Sequence, residues 1–406
     1  MKSLLYFLLQ LYYTIEFIFL ELIPSKKENS ILIVRLDAIG DSIIWLDSAK
    51  EYRKHFPDKH LVLLCNVVWK EIADALPYFD EVISVNKNGF LKNLSYRLRL
   101  LISLKKRKFE QIINPAYSRD FFTQDILIHG LRSDRKIGYK GNYSNTTNTL
   151  SGFGKSFEKR THLLERKANK WYSELIEADP KPLMELSRNA DFIRKLFHTE
   201  FQSQLPKFPF QIPVYKHLPE TKYIVLFIGA STPRRYWKKE NYEQLIPKLF
   251  SSVIVLCGGK QEETISKELV QNLSNSGKII LDFVGKTSLF DLFSIIQHAQ
   301  YIITNDTSAS HITAAVRTPS VCLVGGNNYF GRFQPYFVET ISEDDKKYLP
   351  KAVYNQMDCY ECNNSCLFIH DKTTIFPCID SITVEQVYEK VLEIEREGSC
   401  AGVSGG

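Results

Sequence analysis

A chain of 406 residues exceeds what one ordinary core organises and suits two domains of typical size. Its 44% apolar and 24% charged residues exclude disordered and fibrous classes. The net charge of +6 is unevenly spread: Lys87 to Lys170 holds 19 Lys and Arg against 6 Asp and Glu, an excess of 13, so the remainder is net acidic. That basic stretch is either a solvated face or a surface for an anionic acceptor or an anionic membrane. No recognition-helix, RNA-binding or zinc-finger pattern accompanies it, which argues against nucleic acid as a partner.

Residues 1–29 form an apolar leader to the fold. Its first part, MKSLLYFLLQLYYTIEFIFLELI, is interrupted by Gln10, Glu16 and Glu21 and is followed by no small-residue cleavage site, so it does not read as a secretory signal. A full membrane span would bury Glu16 near its centre, which is costly. An interfacial helix that turns its polar residues to water is the first reading, and a packing helix of the fold the second.

The first domain is expected over 30–205. Ile31 to Leu36 is a buried parallel strand by its apolar, β-branched composition, and it runs through Asp37-Ala38-Ile39-Gly40-Asp41-Ser42 into a helix bearing Ile43, Ile44, Leu46, Ala49 and Tyr52. The turn lacks G-x-G-x-x-G, which argues against a dinucleotide site there. Strands follow at Leu61–Cys65, Glu81–Val85 and Gln111–Asn114, with helices at Trp69–Leu76 and Leu91–Leu104, an alternation that indicates a doubly wound α/β sheet. Lys105-Lys106-Arg107-Lys108 closes one of those helices, and Lys105 and Arg107 are candidates for binding an anionic acceptor. Tyr143 to Ser156 reads as a loop, and His162–Leu175 and Pro182–Phe197 as helices. Three prolines between Pro206 and Pro213 make 206–222 the expected linker.

The second domain is expected over 223–382, with a C-terminal helix and tail over 383–406. Strand Tyr223–Ile228 leads to Gly229-Ala230-Ser231-Thr232-Pro233-Arg234-Arg235, where hydroxyls and clustered cations suit a diphosphate, or else are ordinary surface charge. Ser252–Leu256 leads to Cys257-Gly258-Gly259 and on to Glu262 and Glu263. Strand Ile279–Val284 and helix Leu289–Ile296 deliver the chain to YIITNDTSASHITAAVRTPSVCLVGG, from Tyr301 to Gly326, a βαβ unit with a polar elbow. Asp306, Thr307 and Ser308 fall where a strand ends and a helix begins; they either cap the helix or attract an anion to it, and His311 follows at a spacing that returns it to the same end. Cys359, Cys362, Cys366 and Cys378 fit a tetrahedral thiolate zinc site, two disulfides, or reduced packed cysteines. Thr383-Val384-Glu385-Gln386 has the form of a capping box.

NDTSASHITAA with TPSVCLVGG, and the opening RLDAIGDS, resemble the donor-site and opening motifs of glycosyltransferase family 9, the ADP-heptose:lipopolysaccharide heptosyltransferases. Ser308 stands where that family usually has Gly, and Gly326 lacks the usual preceding Phe. The resemblance implies a GT-B fold, two Rossmann-like doubly wound domains facing across a cleft, and an inverting, metal-independent transfer that needs no cofactor. It carries the roles of catalytic base to Asp41, with Gly40 on the acceptor side, and of electrostatic catalyst to Arg235. Ser231, Thr232, Thr307 and Ser308 become phosphate ligands, Glu262 (with Glu263 left open) the ribose carboxylate, and Asp306 with His311 the sugar-orienting pair. The implied partners are a nucleotide diphosphate sugar, ADP-heptose in first place, an anionic glycolipid, and the inner face of a bacterial cytoplasmic membrane. The cysteine cluster is similar to clusters found at this position in the family, and a structural zinc is the implied ion. No Asp-x-Asp occurs in the chain, as expected if no metal holds the diphosphate. Three alternatives stay open: another nucleotide sugar used for a capsule or O-antigen, a non-catalytic nucleotide-sugar-binding protein, and a thiol-based redox or metal-dependent regulator built around the four cysteines.

Overall fold

The computed structural model describes residues 15–151, 159–326, 329–362, 366–369 and 374–401. Seven strands form the first sheet: β1 (Lys26–Lys27), β2 (Ser30–Arg35), β3 (His60–Asn66), β4 (Glu81–Val85), β5 (Arg107–Asn114), β6 (Arg132–Lys140) and β7 (Glu174–Glu177). Six form the second: β8 (Tyr223–Phe227), β9 (Val253–Cys257), β10 (Ile279–Asp282), β11 (Ile302–Asn305), β12 (Ser320–Leu323) and β13 (Lys351–Val353). Every pairing is parallel. The orders are β4-β3-β2-β5-β6-β7, with β1 also on β5, and β10-β9-β8-β11-β12-β13. Both reverse direction after their first strand, between β2 and β5 and between β8 and β11, which is the dinucleotide-fold order with its crevice at the carboxyl ends of those strands. The expected doubly wound α/β class is therefore present twice.

Contacts divide the chain into two units, but not at a single linker. One unit runs to Ala38 and includes Ala49–Asp179 and Asp191–Glu200; the other contains Ile39–Ser48, Pro180–Ala190 and everything from Phe201. The break thus falls inside the helix Ile39–His55 and inside the helix Glu185–Phe197. The expected linker 206–222 lies against its own unit, because its aromatic and backbone groups find partners there: Phe208 stacks on Phe293 with ring centroids 4.5 Å apart, and Tyr215 N–H donates to Ser294 Oγ at 2.8 Å.

Each sheet buries its β-branched runs. Leu32, Val34, Val62, Leu64 and Ile112 make the first core with Leu101 and Ile126 from helices; Ile224, Leu226, Ile254, Leu256, Ile303 and Leu323 make the second with Leu245, Val387 and Val391. The capping box forms, with Thr383 N–H donating to Gln386 Oε1 at 2.9 Å and Gln386 N–H to Thr383 Oγ1 at 3.2 Å.

Three local expectations change. Ser144–Ser151 is a helix rather than loop, because the Asn145 amide donates to Ser118 O at 2.7 Å and Thr146 Oγ1 accepts from Phe121 N–H at 2.9 Å; the rest of that expected loop, 152–158, lies outside the described residues. The helix expected over His162–Leu175 spans Thr161–Asn169, and the chain beyond it pairs with β6 as strand β7. Strand β6 escaped the sequence reading because its first half is charged: Asp134 pairs with Lys27 at 3.0 Å and Lys108 at 2.5 Å, which turns polar residues into strand neighbours.

Glu16 is the fourth correction. Helix 15–21 does not turn it to water; Glu16 is 4% exposed, and Arg97 donates to it from Nε at 2.6 Å and from Nη2 at 2.5 Å. Two charge-assisted bonds from one guanidinium satisfy the buried carboxylate. Among the described residues no helix is long and apolar enough to cross a membrane.

Candidate active site

The best-defined polar cluster lies at the β8/β11 switch point. Asn305, the last residue of β11, donates from Nδ2 to the carbonyls of Ile228 at 3.2 Å and Gly229 at 3.1 Å, tying the two strand ends together. Asp306 follows, then Thr307, whose hydroxyl accepts from Ala309 N–H at 3.3 Å and caps the helix Ser308–Val316. The capping and anion readings are thus compatible, since the hydroxyl satisfies one of the several N–H groups that a helix start leaves unpaired. Beyond β8, the turn Pro233–Arg235 brings Arg235 back to this elbow: its Nη2 donates to Asp306 O at 2.9 Å and to Asp306 Oδ2 at 2.8 Å. Burial holds the Asp306 pKa above the ordinary carboxylate value, and the Arg235 guanidinium offsets only part of that rise. A guanidinium carries five N–H donors; Nη1 also donates to Ser231 Oγ at 3.5 Å, so Nε and Nη1 still offer two. Ser231 is exposed and Thr232 half-buried, with Thr232 O accepting from Arg235 N–H at 3.0 Å.

Glu262 sits under the adjacent glycine turns. It is 3% exposed, its Oε2 accepts from Gly259 N–H at 2.6 Å, and Tyr236 donates its hydroxyl to Oε1. A Cβ on Gly229 would lie 3.0 Å from Oε2, so glycine there lets the strand end approach the carboxylate. Of the two glutamates left open by the sequence, Glu262 is the one gathered to these turns; Glu263 lies 3.9 Å from Lys267 on the helix surface.

A third strand of sequence reaches the same elbow within this unit. A Cβ on Gly40 would come within 2.9 Å of His311 Cδ2 and 3.4 Å of Ser308 Cα, so the start of helix Ile39–His55 lies directly on the start of helix Ser308–Val316. Asp41, the next residue, is half-buried in the first turn of its helix. His311 is neutral: burial pushes its pKa down to about 3, and its Nδ1 lies 3.2 Å from the Tyr336 hydroxyl. The sequence reading missed Arg332 and Glu185. Arg332 is 5% exposed, donates from Nε to Glu185 Oε2 at 3.1 Å, and feels the charge of Asp41 as well. No motif surrounds either residue, and their pairing spans 147 positions, so no local signal exists for it.

Lys105 and Arg107 are placed elsewhere. They stand at the amino end of β5, opposite the carboxyl ends where the β2 and β5 loops leave the sheet. Lys105 is 1% exposed and pairs with Glu21 at 2.6 Å; Arg107 pairs with Glu28 and Glu81, both at 2.9 Å. These pairs hold Glu21 and Glu28 of the N-terminal segment, and Glu81 of β4, to this end of the sheet.

Cys359, Cys362, Cys366 and Cys378 line one depression with Met357, Tyr360 and Phe376. Cys378 Sγ accepts from Gly326 N–H at 3.3 Å. Among the described residues no three His, Cys, Asp or Glu side chains are grouped to hold a metal ion.

Residues 97–356 match the family model "Glycosyltransferase family 9 (heptosyltransferase)". The chain belongs to glycosyltransferase family 9. This family 9 chain is 20% identical over 362 residues to lipooligosaccharide heptosyltransferase 2 of Campylobacter jejuni, covering 88% of itself and 96% of that protein. To the Haemophilus influenzae enzyme of the same name it is 28% identical over 96 residues, which covers 23% of itself and 28% of that relative. Among solved structures, the family 9 glycosyltransferase of Veillonella parvula gives a TM-score of 0.61 at 16% identity, over 91% of this chain and 98% of that one. Escherichia coli heptosyltransferase WaaC with ADP-2-deoxy-2-fluoro heptose gives 0.61 at 16% identity, over 91% and 99%. At such identities the structures establish a shared fold, and the family model establishes a glycosyltransferase.

Proposed function

We propose that this glycosyltransferase moves a heptose from ADP-heptose to a lipopolysaccharide core or related anionic surface glycan, in one inverting displacement. Asp41 accepts the proton of the acceptor hydroxyl as general base. The acceptor oxygen then bonds to the anomeric carbon as that carbon's bond to the diphosphate oxygen breaks, and ADP leaves with the electron pair. Charge on the departing diphosphate is met by the spare N–H donors of Arg235, by Ser231 and Thr232, and by the helix start at Thr307 and Ser308, a preorganised term. Arginine keeps its proton at neutral pH, so its contribution is electrostatic. Asp306, held by Arg235, orients sugar hydroxyls, neutral His311 supports the elbow, and Glu262 serves the ribose. No cofactor enters these steps. A glycolipid acceptor would put the reaction at the inner face of the cytoplasmic membrane.

One observation carries this reading: the Gly40-Asp41 turn lies against the Ser308–His311 helix start, beside the Arg235–Asp306 pair. A base is thereby set next to a phosphate-friendly terminus. The heptosyltransferase names of the curated relatives support the choice of sugar. Ser308 in place of the family's usual glycine favours one second reading, a different nucleotide sugar on the same scaffold.

The test pairs binding with turnover. A nucleotide present at about 100 times its dissociation constant adds about 2.7 kcal/mol of stability, so ADP should raise the unfolding temperature while UDP, GDP and CMP do not. Asp41→Asn should retain the ADP response and lose transfer, whereas Arg235→Ala should weaken both, with turnover falling about 100-fold or more. Stabilisation by UDP or GDP alone would move the donor. A non-catalytic binding protein is the conclusion if the wild type responds to ADP and no acceptor supports transfer.

A further inference from the structure

We propose that Arg332, gripped by Glu185, is the positioning residue of Asp41: it aims that carboxylate, and because Glu185 shares its charge it leaves Asp41 able to take a proton. The inference rests on the reading of Asp41 as the general base. An apolar cluster gathers the three residues, all of one unit, from stretches far apart in sequence. Ile44, about one turn beyond Asp41 on the helix Ile39–His55, packs there with Met184 and Leu186, which flank Glu185, and with Phe333, which follows Arg332. Ala314, about one turn beyond His311, joins the same cluster. Glu185 and Arg332 then hold each other twice, Glu185 N–H donating to Arg332 O at 2.8 Å and Arg332 Nε to Glu185 Oε2 at 3.1 Å. Both are buried, and the Phe333 ring centroid lies 4.9 Å from the guanidinium carbon. A side chain gripped at its backbone, its Nε and its flat face is set before any ligand arrives.

Charge explains why the grip matters. One guanidinium has donors enough for two carboxylates. Burial opposes the charge on Arg332, and Glu185 first, then Asp41, sustain it. A cation facing Asp41 alone would lock it as a carboxylate and make it a poor base, since an opposite charge at close range favours the ionised form. Shared between two carboxylates, the same cation leaves the trio with one net negative charge. When the acceptor's O–H bond breaks and its proton passes to Asp41, Arg332 and Glu185 remain as a neutral pair, so no buried charge is stranded. The other titratable groups beside the trio keep one charge state near neutral pH. Burial raises the pKa of Tyr329, whose hydroxyl donates to Leu183 O; Arg188 donates to Lys181 O; His311 is neutral.

The experiment is a carboxyl-carbon NMR titration of the full chain labelled at aspartate, with Asp41 identified as the resonance that Asp41→Asn lacks. Glu185→Gln keeps the backbone bond and an oxygen for Arg332 Nε but gives the whole guanidinium charge to Asp41, so the Asp41 pKa should fall by about one pH unit or more. Arg332→Gln removes the cation, so the same pKa should rise by about as much. Arg332→Lys keeps the charge without the flat fork. Its Asp41 pKa should stay nearer the wild-type value, while turnover with ADP-heptose and lipopolysaccharide core falls about 100-fold, the cost of a misaimed base. Opposed movements in Glu185→Gln and Arg332→Gln support the proposal. An Asp41 pKa that neither variant moves, or that both move in one direction, overturns it, and so does wild-type turnover in Arg332→Lys. If Arg332→Gln does not fold, Glu185→Gln decides alone: a fall supports the proposal and no fall overturns it. The base assignment is read separately. Full transfer by Asp41→Asn overturns that reading and the proposal with it, whereas an inactive Asp41→Asn with an Asp41 titration unmoved by Glu185→Gln overturns the positioning role alone.

Discussion

Asp306, Arg235 and His311 show how burial changes what a residue can do. Asp306 and Arg235 are written 71 positions apart, yet each accounts for the other: the guanidinium stabilises a carboxylate at 7% exposure, and the carboxylate aligns the guanidinium. His311 has no such partner charge, so burial alone lowers its pKa from 6.5 to about 3. The folded value is below the unfolded one; hence the stability that depends on neutral His311 is fully present above pH 6.5 and is lost as pH falls toward 3. His311→Gln should therefore show a shallower loss of unfolding free energy than wild type across that range, by up to about 1.4 kcal/mol per pH unit. Asp306 and the other carboxylates titrate in both proteins and cancel in the difference. Parallel curves from pH-dependent urea unfolding would mean that His311 is protonated in the fold.

Among the elements, helix 15–21 is the clearest case of tertiary structure overriding pattern. Its hydrophobicity reads the same whether it lies on the fold or on a membrane, and only Arg97, on a helix 81 positions away, decides which face turns inward. Removing Arg97 would leave a buried carboxylate unpaired. Arg97→Ala is expected to cost about 3–5 kcal/mol, while Glu16→Gln with Arg97→Met, which removes both charges, should recover much of that loss; urea melts of the three proteins check the pair. A double variant as unstable as Arg97→Ala would point to packing by Arg97 over the Phe90 ring, 4.5 Å from its guanidinium carbon, as the dominant contribution. Strand β6 teaches the same lesson at a sheet: its charged first half looks like a loop until Lys27 and Lys108 are placed beside Asp134.

Taken as a whole molecule, the chain repeats one topology, and the repeat has unequal ends. The carboxyl edge of the second sheet carries Ser231, Arg235, Asp306 and the Ser308 helix start, while in the first sheet the cations Lys105 and Arg107 stand at the amino end of β5 in ion pairs. Hydrogen exchange with and without ADP should report this asymmetry. Protection is expected at 229–236 and 305–311 and not in β3 or β4, because ligand contacts restrain only the groups they touch and the loops that carry them. Protection confined to β3 and β4 would place the nucleotide in the wrong unit. The sequence by itself determined the α/β class, most strands, the elbow from Asn305 to His311 and the opening turn at Gly40-Asp41, because each is written in neighbouring residues: β-branched runs, strand-end glycines and helix caps. Only the tertiary structure decided that Glu16 faces inward, that Lys105 and Arg107 fasten the N-terminal segment, that residues 39–48 join the second unit, and that Arg332 and Glu185 stand near Asp41. Those outcomes depend on charges and side chains that meet across tens to hundreds of positions, and a carboxylate carries no local mark of which cation will reach it.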